Sequence, residues 1–179
     1  MGKLKISVKR CVIMFTDIHD YSILTTVLGQ QQHEFLQEVY ERLGEIIVAY
    51  QGEILKYLGD GMLCIFPADT EEAVIQCAVE LRRAFFQVLT ENGITHKSEL
   101  EVGIGSGEVA VGIFGHRSLR MKDVLGEEAN RAAVIGHHRG IGITENVYEK
   151  IRVTHQTQAL PEIKVKWQRA PLRFWEVIV

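Results

Sequence analysis

A chain of 179 residues is long enough for one well-buried domain and short for two. Its 46% apolar and 24% charged residues are the ordinary mix of a globular protein in water, and a net charge of −3 argues against partners that need a basic surface, such as nucleic acid or an anionic membrane. The three cysteines, Cys11, Cys64 and Cys77, are odd in number and lie at no metal-site spacing, which fits free thiols in a reducing cytosol. The N-terminus carries no apolar run for a leader peptide or a membrane span, and Ile6 stands where a myristoylation signal needs Ser or Thr. The expectation is a cytoplasmic protein.

In chain order, Arg10 to Phe15 predicts a short buried strand, broken from Asp17 to Ser22 by polar residues suited to a helix N-terminus. Phe35, Leu36, Val39, Tyr40, Leu43, Ile46, Ile47 and Tyr50 form one face of an amphipathic helix ended by Gly52. Glu53–Leu58 and Met62–Phe66 are apolar runs around Gly59-Asp60-Gly61, a hairpin signal. A second helical stripe runs from Ala73 to Val88. Glu101–Ile104 and Val109–Phe114 read as two strands around a tight turn at Gly103-Ile-Gly105-Ser-Gly107. A third helix is expected from about Glu128 to Ile135, then a short strand at Ile141–Ile143. Thr144 opens a capped helix, and strands near Ile163–Trp167 and Arg173–Ile178 close the chain. This is an α+β pattern with one principal sheet, in a single domain spanning 1–179, without repeat, low-complexity run or linker.

Two residues stand out for chemistry. Asp17 follows a buried strand and Asp60 sits at a hairpin tip. Each has a structural reading, as a helix N-cap and as the Asp of an Asp-Gly turn. If the first strand lies beside the hairpin, however, both carboxylates emerge at one end of the sheet. Close carboxylates repel, and a hard divalent cation with oxygen ligands relieves that repulsion. The glycine-rich segment lacks the last Gly of a dinucleotide fingerprint, and no phosphate-loop motif is present. His137 and His138, side by side, point in different directions on any regular element and read as a solvated pair.

Four segments carry a resemblance. Phe15-Thr-Asp17-Ile18, Lys56-Tyr-Leu-Gly-Asp60-Gly61, Val102-Gly-Ile-Gly-Ser-Gly-Glu-Val109 and Asp123-Val-Leu-Gly-Glu-Glu-Ala-Asn130 are similar, in order and spacing, to the successive motifs of the class III adenylate and guanylate cyclase domain. The likeness runs roughly from residue 8 to 178, so no sensor or receiver segment is expected. It implies a fold with a ferredoxin-like, palm-type central sheet and packed helices. The implied activity is conversion of a nucleoside triphosphate into a 3′,5′-cyclic nucleotide and pyrophosphate, in a head-to-tail homodimer with shared active sites.

The resemblance also assigns roles. Asp17 and Asp60, helped by the Ile18 carbonyl, would hold two Mg²⁺ or Mn²⁺ ions per site. Backbone N–H groups at Ile18, His19, Asp20, Tyr21 and Ser22 would receive the terminal phosphates, with Lys166 as a further triphosphate ligand. Lys56 and Asp123 would meet the base edge, and Asn130 would orient the ribose or the reacting phosphate. Apart from the resemblance, solvated strand lysines are the favoured account of Lys56 and Lys166, and a helix-start cap accounts equally for Asn130.

The sequence departs from the family at one point. Where the family has an Arg four residues after the Asn, this chain has Val134, and Gly140 follows early, as if the helix were shortened. Loss of such an arginine can lower a rate by roughly 10³-fold or more; Arg131 and Arg139 are the nearby substitutes.

Lys56 as donor and Asp123 as acceptor match adenine at N1 and N6, but also cytosine at N3 and N4 and uracil at O4 and N3. Pocket depth must then decide, and Tyr50 and Tyr57 are the residues expected to set it. The bare catalytic design resembles the stand-alone pyrimidine cyclases of bacterial anti-phage signalling, the Pycsar type. UTP or CTP is therefore the expected substrate, with ATP as the alternative and a non-catalytic nucleotide-binding module as the third reading.

Overall fold

The computed structural model describes residues 6–179. Its strands are β1 (Ile6–Ile18), β2 (Glu53–Leu58), β3 (Gly61–Phe66), β4 (Leu100–Phe114), β5 (Met121–Leu125), β6 (Ile141–Thr144), β7 (Thr157–Ala159) and β8 (Phe174–Val177). The helices are α1 (Tyr21–Leu28), α2 (Gln32–Ala49), α3 (Glu71–Glu91), α4 (Glu127–Ile135) and α5 (Glu145–Ile151). One sheet runs in the order β2-β3-β1-β4-β6-β8-β7, with β5 paired to the distal half of β4. Among the described residues, no helix is long and apolar enough to cross a membrane.

β1 is buried without interruption from Cys11 to Thr16 because both of its faces are covered. Val12 and Met14 point into a core with Phe35, Leu43, Ile47, Leu81 and Phe85 of α2 and α3. Cys11 and Ile13 point the other way, into a smaller core with Val109, Val111, Val124, Ala129 and Ala132. All three cysteines are free and buried, and burial pushes the thiols up, that of Cys77 to about 12. They pack as small apolar groups.

The strand regions differ from expectation in several places: β5 and β7 are not marked in the sequence, and two expected features are absent. The glycine-rich segment is no turn: β4 runs straight through it as one strand of 15 residues. The glycines are there for the helix above. A Cβ on Gly103 would overlap the Ala132 carbonyl and lie 2.5 Å from the Gly136 nitrogen. One on Gly105 would lie 2.8 Å from the Glu128 carbonyl, and one on Gly107 2.7 Å from Glu128 Cγ. The stripe of absent side chains lets α4 lie directly on β4. Near the C-terminus, Ile163–Trp167 is not a strand: Ile163 makes only an isolated bridge to Leu172, and the pairing partner of β8 is β7. Thr144 does precede α5, but its hydroxyl donates to Glu128 instead of capping the helix.

The close seating of α4 predicts that Gly103→Ala, mild in most strands, destabilises by about 1–3 kcal/mol, since the added methyl meets backbone on α4. For a chain of this size that lowers the melting temperature by about 2–4 °C per kcal/mol, which thermal unfolding will measure.

Candidate active site

The antiparallel register of β1 with β3 pairs Thr16 with Met62 and brings the end of β1 against the β2–β3 turn. The Met62 N–H donates to Thr16 Oγ1 at 3.1 Å. The turn itself is Gly59-Asp60, with Gly59 at φ 68°. Gly61 is needed for closeness as well, because a Cβ there would overlap the Thr16 carbonyl. Asp17 is consequently a strand residue and no helix cap, and it lies against Asp60. Asp60 Oδ2 accepts the Ile18 N–H at 3.1 Å. Burial first, and the neighbouring Asp17 charge second, push the Asp60 carboxyl above the usual carboxylate range. Two half-buried carboxylates in contact, the first destabilised by the second, form a donor set that fits a hard divalent cation.

A second layer lies beside them, in which sequence reading did not single out Glu101 and read His137 as solvated. Asp17 is paired across the sheet with Glu101, which is only 4% exposed. His19 Nδ1 is 2.7 Å from Glu101 Oε1, and the Arg139 guanidinium donates to His19 Nε2 at 3.0 Å. His137 Nδ1 is 2.9 Å from Asp17 Oδ2. The His137-His138 pair does point in two directions but is not simply solvated. His138 packs edge-on against Phe174 at 5.6 Å, while His137 reaches the carboxylates. The visible sequence signal was Glu101 itself, an acid inside an otherwise apolar strand.

The turn from β1 to α1 is partly committed to the fold. The Ile18 N–H serves Asp60, and the His19 N–H donates to the Glu99 carbonyl at 2.9 Å. Ile23 and Leu24 donate to the carbonyl of Asp20, which is left-handed at φ 57°. The N–H groups of Tyr21 and Ser22 are those that a helix start leaves without an intrahelical partner. Lys166 lies in an exposed turn of the C-terminal segment, and among the described residues it makes no ion pair.

Lys56 Nζ and Asp123 Oδ2 meet at 2.7 Å, joining β2 to β5. Tyr50 and Tyr57 do not join them. Tyr50 ends α2 and donates to Glu80 of α3 at 3.1 Å. Tyr57 points to the α2 side of β2, where its ring lies 4.2 Å from that of Tyr40. The alternation of β2 separates Lys56 from Tyr57, and the argument from pocket depth loses its residues. Asn130 is exposed on α4. Arg131 is held by Glu128 at 2.6 Å and by Glu127. Val134 packs against the small apolar cluster of Ile135, Leu172 and Phe174, so that position is structural here.

The sequence matches the family described as the adenylate and guanylate cyclase catalytic domain over residues 5–176. An adenylate cyclase of Anabaena cylindrica is 27% identical over 136 residues, which is 72% of this chain and 27% of that protein. The chain thus spans about a quarter of the length of that relative. The crystal structure of the adenylyl cyclase CyaB from P. aeruginosa superposes with a TM-score of 0.88 at 22% identity, covering 98% of this chain and 97% of that one. The adenylate/guanylate cyclase/hydrolase from Silicibacter pomeroyi gives 0.74 at 26% identity over 96% and 97%.

The strained carboxylate pair predicts a linkage. A carboxyl raised by the fold stabilises below its unfolded pKa, and that contribution is lost as pH rises through the folded value. Asp60→Asn, which keeps the acceptor for Ile18, should therefore raise the melting temperature of the metal-free protein at neutral pH. It should also abolish any upward shift produced by Mg²⁺. Thermal scans with and without Mg²⁺ will check both.

Proposed function

Since the chain belongs to the adenylate and guanylate cyclase catalytic domain family, we propose that it converts ATP into 3′,5′-cyclic AMP and pyrophosphate. The observation that carries this reading is the Asp17–Asp60 pair, whose proximity makes chemical sense with divalent cations between the carboxylates and a triphosphate. Asp17 and Asp60, with the Ile18 carbonyl, would hold two Mg²⁺ or Mn²⁺ ions, which supply activation of the 3′-hydroxyl and neutralisation of phosphate charge. The 3′-oxygen would attack the α-phosphorus, pass its proton to solvent, and displace pyrophosphate.

The chain's own residues supply the rest. The N–H groups of Tyr21 and Ser22, at the helix start, would receive the terminal phosphates. Arg139, tied to His19 in the β1–α1 turn, is the guanidinium best situated to take up phosphate charge in place of an arginine at Val134. Lys56 has three donor hydrogens, so it can serve adenine N1 while Asp123 accepts from N6. The pair suits adenine and the pyrimidines alike; the adenylate cyclases among the relatives favour ATP, now that Tyr50 and Tyr57 lie elsewhere.

An exposed surface beside Asp123 supports the reading of a homodimer with shared sites. Register pairs Val8, Ala110 and Leu125 across three strands, and Ile6, Gly112 and Asp123 beside them. Ile6, Val8 and Leu125 are exposed apolar side chains on that face. An exposed apolar strip next to a base-reading acid is what an interface built around the substrate would present.

Incubation with each of the four triphosphates and Mn²⁺, followed by mass-spectrometric product analysis, should give cyclic AMP as the main product. Cyclic UMP or CMP in excess would restore the pyrimidine reading, and binding without turnover would leave a non-catalytic module. Asp17→Ala, Asp60→Ala and Arg139→Ala should each lower turnover by on the order of 10²- to 10³-fold or more while the fold persists. Mixing inactive Asp60→Ala with inactive Lys56→Ala protein should recover part of the activity, because one hybrid site is then intact. No recovery despite subunit exchange would count against sharing.

A further inference from the structure

We propose that Asp17, Glu101 and His137 form a distinct cation position with one nitrogen donor, which takes a divalent transition ion, Mn²⁺ or Zn²⁺, in preference to Mg²⁺. The proposal deepens the reading above through Asp17. It adds two residues to which the family resemblance gives no part.

One ligand atom from each of the three side chains lies within 4.8 Å of the others, a spacing that a single ion can span. Asp17 and Glu101 are direct cross-strand partners between β1 and β4. Like charges directly opposite one another destabilise a sheet, and burial of Glu101 strengthens the repulsion. A cation between them removes it. His19 occupies only one side of Glu101, through Oε1.

The Asp17 carboxylate has two different neighbourhoods. Its Oδ1 faces the Asp60 turn, 3.3 Å from where a Cβ on Gly61 would sit. Its Oδ2 faces the His137 imidazole at 2.9 Å. The first side offers oxygen donors alone, which suits Mg²⁺ with its near-octahedral oxygen shell. The second offers two carboxylates and an imidazole. Nitrogen donors favour the later first-row ions, and affinity at such a site rises from Mn²⁺ toward Zn²⁺.

His137 reaches this spot because α4 ends early. Gly136 follows the helix directly, and a Cβ there would lie 2.5 Å from the Phe15 ring. The chain therefore passes close over the end of β1, and the His137 ring stands edge-on to Phe15 at 5.3 Å. Phe15 is buried and fixes one wall for the imidazole, while the outer side of the ring stays open to solvent and to an entering ion. The neighbouring His138 is turned to Phe174 and Glu176 and supplies an internal control.

The test uses the whole chain without nucleotide, counting free Mn²⁺ by electron paramagnetic resonance during titration. His137→Ala should weaken Mn²⁺ binding by at least about tenfold, and His138→Ala should leave it unchanged. Zn²⁺ should displace Mn²⁺ from wild type at far lower concentration than Mg²⁺ does, and His137→Ala should narrow that gap. Glu101→Gln, if folded by circular dichroism, should match His137→Ala; if it is not, the exposed His137 decides alone. Wild-type Mn²⁺ affinity in His137→Ala overturns the proposal and reduces His137 to a hydrogen-bond partner of Asp17. Because no nucleotide is present, that outcome leaves the cyclase reading standing. A chain that cyclises nothing yet shows the His137-dependent affinity separates the two in the other direction.

Discussion

The arrangement of this protein depends on how closely α4 lies on β4. Gly103, Gly105 and Gly107 remove every side chain that would hold the helix off the strand, and Gly136 does the same over Phe15. The consequences reach in both directions from the contact. Inward, Ala129 and Ala132 close the smaller core against Cys11 and Ile13. Outward, the segment after the helix is delivered to the end of β1, where His137 meets Asp17 and Arg139 meets His19. Glycine in a strand normally costs conformational entropy and packing. Here the gain is position: the backbone of one element is brought within reach of the carboxylates of another.

The same contact explains what was and was not legible in the sequence. Helices with a clean apolar stripe were read almost to their ends, as α2 and α3 show, because periodicity reports a face that must be buried. The Asp17–Asp60 juxtaposition was also legible, since a strand and a hairpin with matching apolar runs have few ways to pair. Glycine misled. Three of them in five residues signal a turn when only local conformation is considered, and the helix that requires them lies more than twenty residues further on. Tyr50 and Tyr57 misled for a similar reason. Closeness in sequence to Lys56 says nothing of which face of β2, or which end of α2, carries the ring.

Glu101 and His137 were missed because their meaning is relational. An acid in a strand is an anomaly only once its opposite number is known to be Asp17, and a histidine after a helix is ordinary until the helix ends over that pair. The electrostatics of the region are therefore a property of the register of β1 on β4 and of the length of α4 together. Shifting either by one residue would turn Glu101 or His137 to the opposite side. The buried cysteines are a contrast: their environment is set by the local apolar runs that contain them, and nothing distant alters their role.

The ion pair between Lys56 and Asp123 has a further implication for molecular selection. Each group is already the other's partner at 2.7 Å, so in the proposed base-reading role an incoming ring would have to displace at least part of that pairing. Entry would then be an exchange reaction. A ring that offers an acceptor and a donor side by side can compensate both charges as they part, whereas one that offers only a single complement strands the remaining charge in a partly dry setting. Discrimination then lies less in attraction to the right guest than in reluctance to open for the wrong one. An ion pair latched in this way would reject mismatched rings before their size is ever tested.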